Sequence, residues 1–314
     1  MKNTHIQSEA TLDTITGSPS KLLSLLIDIK YLLKGKVLVA NVLPVFTSYW
    51  LALYFTNESF IDNWGLFLLT MIGSTLVISG ALILNNWYEV DLDKKMVRTQ
   101  KRPTVTGNFS LKSVLWSGII TSIIGLVMMF FTTFEAALYS FLGWFFYVVL
   151  YTFWSKRRYT WNTIIGSVSG AFTPLIGWAA ITQANHIVPI VMFCILFIWQ
   201  IPHTLAITLK RLEDYTRAGV PMLPVVYGVP VTIRQNLIYI VTLLPLPFFL
   251  IVSLGWFFTI FAIALTIGWI ILAIKGPRAK DLKKWAQANL RYSLIYLILL
   301  SFVMILLTSP IMNS

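Results

Sequence analysis

Charge is scarce in this 314-residue chain: Asp, Glu, Lys and Arg make up 11% of it, against roughly 25% in an ordinary globular protein. That excludes a fold whose whole surface faces water. Acidic residues are scarcer still, 12 against 24 basic ones. Cysteine occurs once, as Cys194 within an apolar run, which excludes an internal disulfide and a cysteine-ligated zinc or iron–sulfur centre. Of three histidines, His5, His186 and His203, only His203 falls at membrane depth, so a bis-histidine transmembrane haem is excluded as well.

What the chain does have is apolar surface, with 57% of its residues hydrophobic and 15% aromatic. They gather into nine runs: 37–55, 65–84, 114–131, 136–154, 161–181, 188–207, 237–254, 256–274 and 292–307. Each has about the length that crosses a roughly 30 Å hydrocarbon layer as a helix. The expected fold is all-α, a polytopic membrane helical bundle of nine transmembrane helices. Lys and Arg number 5 in the N-terminal tail and 6, 3, 4 and 6 in the second, fourth, sixth and eighth connections, with none elsewhere. By the positive-inside rule those connections and the N-terminus are cytoplasmic. The net charge of +12 is then a matter of topology, and no nucleic-acid partner is expected.

Residues 1–36 read as a polar cytoplasmic tail, 37–308 as a single transmembrane domain and 309–314 as an extracytoplasmic tail. The first 20 residues lack an apolar signal core and carry Glu9 and Asp13, which argues against secretory or mitochondrial targeting and for a bacterial plasma membrane. In the fifth run Gly166 and Gly170 form a small-xxx-small pair, followed by Pro174 and Gly177, a pattern for close helix contact.

The second and sixth connections, 85–113 and 208–236, are long and hold carboxylates, so the site is expected there, on the cytoplasmic side. If the second run continues as a helix, Asn85, Glu89 and Asp93 recur every fourth residue within an arc of about 80°, and Asp91 projects to the other side. An amide and carboxylates, all oxygen donors, suit Mg2+, which reaches its substrates through their phosphates. Arg98, Lys101 and Arg102 follow at once, cations suited to phosphate, so a polyanionic ligand is expected. Around the end of the sixth run, helical spacing puts Trp199, His203, Lys210 and Asp214 on one narrow face, with Gln200 nearby and Pro202 as a candidate kink. Glu213 cannot share the face of Asp214. Pro221, Pro224 and Pro230, with Gly219 and Gly228, mark 218–230 as a stiff, non-helical wall. Each feature also has a plainer reading. A topological loop pairs its acids with its own bases, a lone histidine at a helix end is commonly structural, and Lys210, Arg211, Glu213 and Asp214 suit a solvated helix terminus.

In these two stretches the sequence resembles the UbiA-type intramembrane prenyltransferases, and in detail their haem O synthase branch, over nearly its whole length. The family's Asn-x-x-x-Asp-x-x-x-Asp pattern is met by Asn85, Glu89 and Asp93, with Glu where Asp is more usual. The branch's continuation is met by Asp91, Met96, Arg98, Thr99, Arg102 and Pro103. The second stretch is Trp199-Gln200-x-Pro202-His203, then Lys210-Arg211-x-Glu213-Asp214-Tyr215 and 218–225. The superfamily's second Asp-x-x-x-Asp is missing, since 205–209 hold no acid.

The resemblance implies transfer of the farnesyl group of farnesyl diphosphate to a vinyl group of haem B, with addition of water, giving haem O for haem-copper terminal oxidases. It implies Mg2+ on Asn85, Glu89 and Asp93, and diphosphate on Arg98, Lys101, Arg102, Lys210 and Arg211. It implies the acceptor on Trp199, Gln200, His203 and Asp214, and a catalytic part for Asn85, Glu89, Asp93, His203 and Lys210. Both substrates enter from the lipid bilayer, and haem A synthase or a terminal oxidase assembly is the partner implied for the product. Three other readings stay open: a prenyltransferase of another acceptor such as a quinone precursor, a transporter, and an oxidase-assembly subunit.

Overall fold

The structure, a computed structural model, describes residues 21–309; the segment 1–20, with His5, Glu9 and Asp13, and the tail 310–314 lie outside the described residues. These are helical throughout, with no strand among them. Helix α1 (Lys21–Leu32) leads into α2 (Gly35–Thr56). The long α3 (Trp64–Tyr88) is followed by two short helices, α4 (Val90–Lys95) and α5 (Pro103–Thr106). Next come α6 (Leu111–Phe130) and α7 (Phe134–Phe145), the latter continuing in wider π-helical turns over Phe146–Ser155. Then follow α8 (Asn162–Ala179), α9 (Ile187–Lys210), the short α10 (Leu212–Ala218) and α11 (Leu223–Val226), α12 (Gly228–Val241), α13 (Ile251–Ile274) and α14 (Leu282–Leu307).

Seven helical runs are long and apolar enough to cross a membrane, and the chain is a multi-pass membrane protein. Its helices depart from the expected runs in several places. The seventh run, 237–254, is not one helix: α12 ends at Val241, and Pro245 and Pro247, which lack backbone N–H groups, hold a tight turn before α13. Helix forms earlier instead, over 228–236, in a stretch read as connection. Gly255, which alone separates the seventh and eighth runs, leaves helical geometry (φ 77°, ψ 173°), and the Thr259 hydroxyl donates to the Pro247 carbonyl across it (3.3 Å), so the chain turns back there as the spacing of the runs expects. The fifth run becomes α8, only 18 residues long, rich in Gly, Ser and Thr and largely buried against other helices. Residues 21–32, read as polar tail, form α1 and expose Leu22, Leu25 and Leu26.

The long helices pack in chain order, from α2 on α3 to α13 on α14, and α14 returns to α2; α2 also packs on α8, and α9 on α14. In lipid no water drives apolar faces together, so close approach depends on small residues. A Cβ on Gly80 of α3 would stand 2.7 Å from the Ser122 backbone nitrogen of α6. At the crossing of α8 and α2, a Cβ on Gly177 would fall inside the carbonyl oxygen of Val45. One turn earlier Pro174 leaves the Gly170 carbonyl without its helical donor, and the Thr173 hydroxyl donates to it instead (2.7 Å).

Gly177→Leu is therefore expected to force α2 and α8 apart and to cost about 1–3 kcal/mol of stability, read by thermal unfolding in detergent. Gly65→Leu, where an added carbon meets nothing within 4 Å, is expected to leave stability unchanged.

Candidate active site

Helix α3 closes at Glu89, whose φ of −95° and ψ of 12° turn the chain gently into α4. Register survives the joint, because the Glu89 N–H donates to the Asn85 carbonyl (3.0 Å) and the Asp93 N–H to that of Glu89 (2.8 Å). Asn85, Glu89 and Asp93 are brought together and are buried, with 1%, 4% and 2% exposure. Charges so buried stand only when paired, and each has a cation. The Asn85 amide donates to Glu89 Oε1 (2.8 Å) and Thr152 Oγ1 (3.0 Å), and its carbonyl accepts from Lys34. Glu89 Oε1 accepts from Lys156 Nζ (2.5 Å), and Asp93 Oδ2 accepts from Arg102. Asp91 projects away, where Arg157 donates to both of its oxygens at 2.8 and 2.7 Å.

Lys34, Thr152 and Lys156 were not expected in the site. Lys34 sits in the joint between α1 and α2 in left-handed conformation (φ 48°), and beside it the Asn86 amide donates to the Leu32 carbonyl (2.5 Å). That joint folds the lysine back over α3. Lys156 and Thr152 depend on the π-helical turns, in which the Lys156 N–H donates to the Tyr151 carbonyl five residues back (2.9 Å). One wide turn rotates both side chains onto α3. From the sequence, Lys34 and Lys156 count only as topological charges. The signal available was that buried acids require cations close by.

Burial disfavours the Glu89 carboxylate, but Lys156 and then Lys34 outweigh it and hold its pKa below the ordinary range. Burial likewise opposes the Lys156 ammonium, and Glu89 overrides it, so its pKa is raised. Lys34 goes the other way: burial, with Arg102 beside it, keeps its pKa well below the usual lysine value, against the pull of Glu89. The stability that the Glu89 pair contributes is complete above the ordinary carboxylate range and is lost as pH falls through the depressed value.

Arg98 lies over the Tyr215 ring (5.6 Å) with Asp93 and Glu89 in its field, whereas Lys101 is exposed. The single face expected for Trp199, His203, Lys210 and Asp214 is not formed beyond Lys210. Arg211 (φ −117°, ψ 28°) breaks the helix, and α10 turns Asp214 to accept the Val97 N–H (3.1 Å), with Glu213 exposed. Among the described residues Lys210 and Arg211 make no ion pair with Glu89 or Asp93, whose partners are Lys156 and Arg102. Helix α9 runs on through Pro202. Within it Trp199 and His203 stack at 4.8 Å, and Ser293 of α14 fixes both, its carbonyl accepting from Trp199 Nε1 (2.8 Å) and its hydroxyl bonding His203 Nδ1 (2.7 Å). Gln200 fills the space that Gly170 of α8 leaves open.

One turn below Asn85, Ala81 and Leu82 border a small cavity of about 50 Å³ between α2, α3, α7 and α8, largely apolar and walled in part by Trp144 and Tyr147. Among the described residues no group of three His, Cys, Asp or Glu converges as a closed metal cage. Glu89 Oε2 and Asp93 Oδ1, beside Asn85, nevertheless have no donor among the described residues. Two carboxylates and an amide fit Mg2+ of the kind completed by substrate phosphates and water.

A family model described as the UbiA prenyltransferase family matches residues 41–308. The chain is 51% identical over 306 residues to protoheme IX farnesyltransferase of Oceanobacillus iheyensis, covering 98% of each. It is 50% identical over 281 residues to protoheme IX farnesyltransferase 2 of Bacillus subtilis, covering 90% of this chain and 92% of the other. Among solved structures, its fold is similar to one described as digeranylgeranylglyceryl phosphate synthase, with TM-score 0.72 and 17% identity over 92% of this chain and 99% of that one. It is also similar to a UbiA homologue from Archaeoglobus fulgidus bound to GPP and Mg2+, with TM-score 0.63 and 15% identity over 88% of this chain and 99% of that one.

Lys156→Met strands Glu89 as a buried, unpaired carboxylate and is expected to destabilise the protein by about 3–5 kcal/mol. Adding Glu89→Gln is expected to restore most of that loss in thermal unfolding; an equal loss in the double variant overturns the ion-pair account.

Proposed function

This chain belongs to the UbiA prenyltransferase family, and we propose that it transfers the farnesyl group of farnesyl diphosphate to a vinyl group of haem B, with addition of water, giving haem O for haem-copper terminal oxidases. The observation that carries the reading is the cluster of buried oxygen donors and cations one helical turn from a largely apolar cavity, which suits a polyanion with a hydrocarbon tail. The name and high identity of the two bacterial relatives support haem as acceptor.

In this function Lys34, Arg98, Arg102 and Lys156 surround the diphosphate, with Lys101 at the exposed rim. Asn85, Glu89 and Asp93 would hold Mg2+, which would supply positive charge to the leaving diphosphate. Arg98 and Arg102 hydrogen-bond the same oxygens as the bond from C1 to oxygen breaks and its electron pair passes to the diphosphate. The terminal carbon of the vinyl group then bonds to the allylic C1, and water adds to the electron-poor carbon beside the macrocycle and loses a proton. Trp144 and Tyr147 keep water from the first cation and offer it aromatic faces. His203, with Nε2 free of any partner among the described residues, orients the acceptor through its iron, with Trp199 stacked on it and Gln200 alongside. Asp214 braces the Arg98 segment through Val97 rather than touching the acceptor.

We read the topology as nine crossings in a single domain over 37–308, with α8 added to the seven runs and the 228–278 run counted as two. The one-sided distribution of all 24 basic residues supports a cytoplasmic N-terminus and a cytoplasmic site in a bacterial plasma membrane. A haem A synthase or a terminal oxidase assembly then receives the product.

Purified protein given haem B, farnesyl diphosphate and Mg2+ is expected to form an adduct heavier than haem B by farnesyl plus water, read by mass spectrometry, and EDTA is expected to abolish it. Unmodified haem beside a prenylated quinone precursor overturns the acceptor. Asp93→Asn is expected to cut turnover by about 100-fold or more at normal expression, and His203→Ala to weaken haem binding while leaving the KM for farnesyl diphosphate alone.

A further inference from the structure

Glu89 and Lys156, buried against each other, are bracketed by a second set of contacts between the same two segments, which the proposed transfer leaves unused. The Arg157 guanidinium donates to both oxygens of Asp91 (2.8 and 2.7 Å) and, through Nη2, to the Tyr88 carbonyl (2.8 Å). It also lies 4.6 Å from the centre of the Tyr88 ring. That ring meets Phe153 at 4.7 Å, and the Tyr88 hydroxyl donates to the Phe153 carbonyl (3.4 Å). Tyr88 and Asp91 stand on either side of Glu89 in sequence, Phe153 and Arg157 on either side of Lys156.

Stability alone does not account for this arrangement. The ion pair is open to solvent, with 31% of the Arg157 side chain and 54% of the Asp91 side chain exposed, and pairs so placed add little. Arg157 Nε is meanwhile buried with no partner among the described residues, a cost comparable with what such a pair returns.

What the contacts do fix is the register of the π-helical turns. Those turns are a rarer and more weakly bonded form than the α-helix, and they carry Lys156 onto α3, its N–H reaching the Tyr151 carbonyl five residues back (2.9 Å). Relaxation to α-helix would rotate Lys156 by about 100° for each residue of register lost, and Glu89 would lose its cation. Arg157, the next residue along, is tied to the backbone at Tyr88 and to Asp91 in the first turn of α4, so that relaxation has to break its hold on both.

We propose that Arg157 and Asp91 are positioning residues for the diphosphate site: their pairing holds the end of α7 in π-helical register and so keeps Lys156 on Glu89, while Asp91 itself takes no metal. The inference rests on the site binding farnesyl diphosphate with Mg2+. It divides three carboxylates within five residues by task, Glu89 and Asp93 toward the ligand and Asp91 toward the scaffold.

The test uses the full chain in detergent. Arg157→Gln and Asp91→Asn remove charges of opposite sign, so an effect of field alone would weaken diphosphate binding in the first and strengthen it in the second. A metal-bound Asp91 would also give opposite results, because loss of Arg157 would release it to the ion. Positioning gives one sign: each variant is expected to raise the Kd and KM for farnesyl diphosphate, with Mg2+ present, about tenfold or more. The double variant is expected to lose no more than the single ones, and the Kd for haem B to stay unchanged. Without any ligand, amide exchange over 146–157, read by mass spectrometry, is expected to quicken in both variants, while the unfolding temperature falls by no more than about 3 °C. Arg158→Gln, which removes the neighbouring exposed charge, is expected to change none of these. Opposite signs in the two variants, unchanged exchange, an equal loss in Arg158→Gln, or weaker binding accompanied by a large fall in unfolding temperature overturns the inference. Unaltered protein that binds no farnesyl diphosphate overturns the proposed function and this inference together, whereas normal binding by the unaltered protein and by both variants overturns this inference alone.

Discussion

A carboxylate buried at the edge of a membrane stands only if a cation reaches it, and one end of this bundle is organised around meeting that condition for Glu89 and Asp93. Three separate connections each deliver a cation: the α1 to α2 joint brings Lys34 to Asn85, the π-helical end of α7 brings Lys156 to Glu89, and the stretch before α5 brings Arg102 to Asp93. Each connection is thereby locked to α3 and α4. Withdrawal of any one cation leaves desolvated charge or an unsatisfied amide behind, so local geometry that is unfavourable by itself persists. A left-handed lysine costs about 1–2 kcal/mol, and the wide π-helical turns forgo good α-helical bonding, yet both are held by what they pair.

The same pairing leaves the site electropositive. Glu89 and Asp93 are matched by Lys34, Lys156, Arg102 and Arg98, two negative charges against four positive, so an anion finds a net attraction without displacing the internal pairs. Beneath it the cavity between α2, α3, α7 and α8 is largely apolar. The inner helix α8 shows how that space is kept. Its Gly177 and Gly170 bring α2 and α9 close, and most of its residues are buried against other helices. Apolar lining and charged cluster thus lie within a turn or two of one another along α3.

Much of this was legible in the residues. The four-residue spacing of Asn85, Glu89 and Asp93 carries the shared face, because helical hydrogen bonds pass through the joint at Glu89. Asp91 falls on the other side for the same reason. Lys34 and Lys156 were not legible, since neither a π-helical turn nor a left-handed non-glycine joint has a residue signature, and only the folded chain brings the cations to the acids. Asp214 was misjudged because one residue, Arg211, leaves helical geometry and cancels the register after Lys210. The run 237–254 was misjudged because summed hydropathy passes over Pro245 and Pro247 while the backbone cannot.

On the proposed function, acids accompany the cations at the end of α3, so a metal would find oxygen ligands there and a diphosphate would be taken up with it. The position of that site on the bundle is set by a single short joint, whose backbone is fixed by Lys34 on Asn85 and by Asn86 on Leu32. Two reactants that arrive separately from the bilayer are aligned in this arrangement by rigid backbone rather than by contact with each other, which is how orientation lowers a barrier without tightening the binding of either.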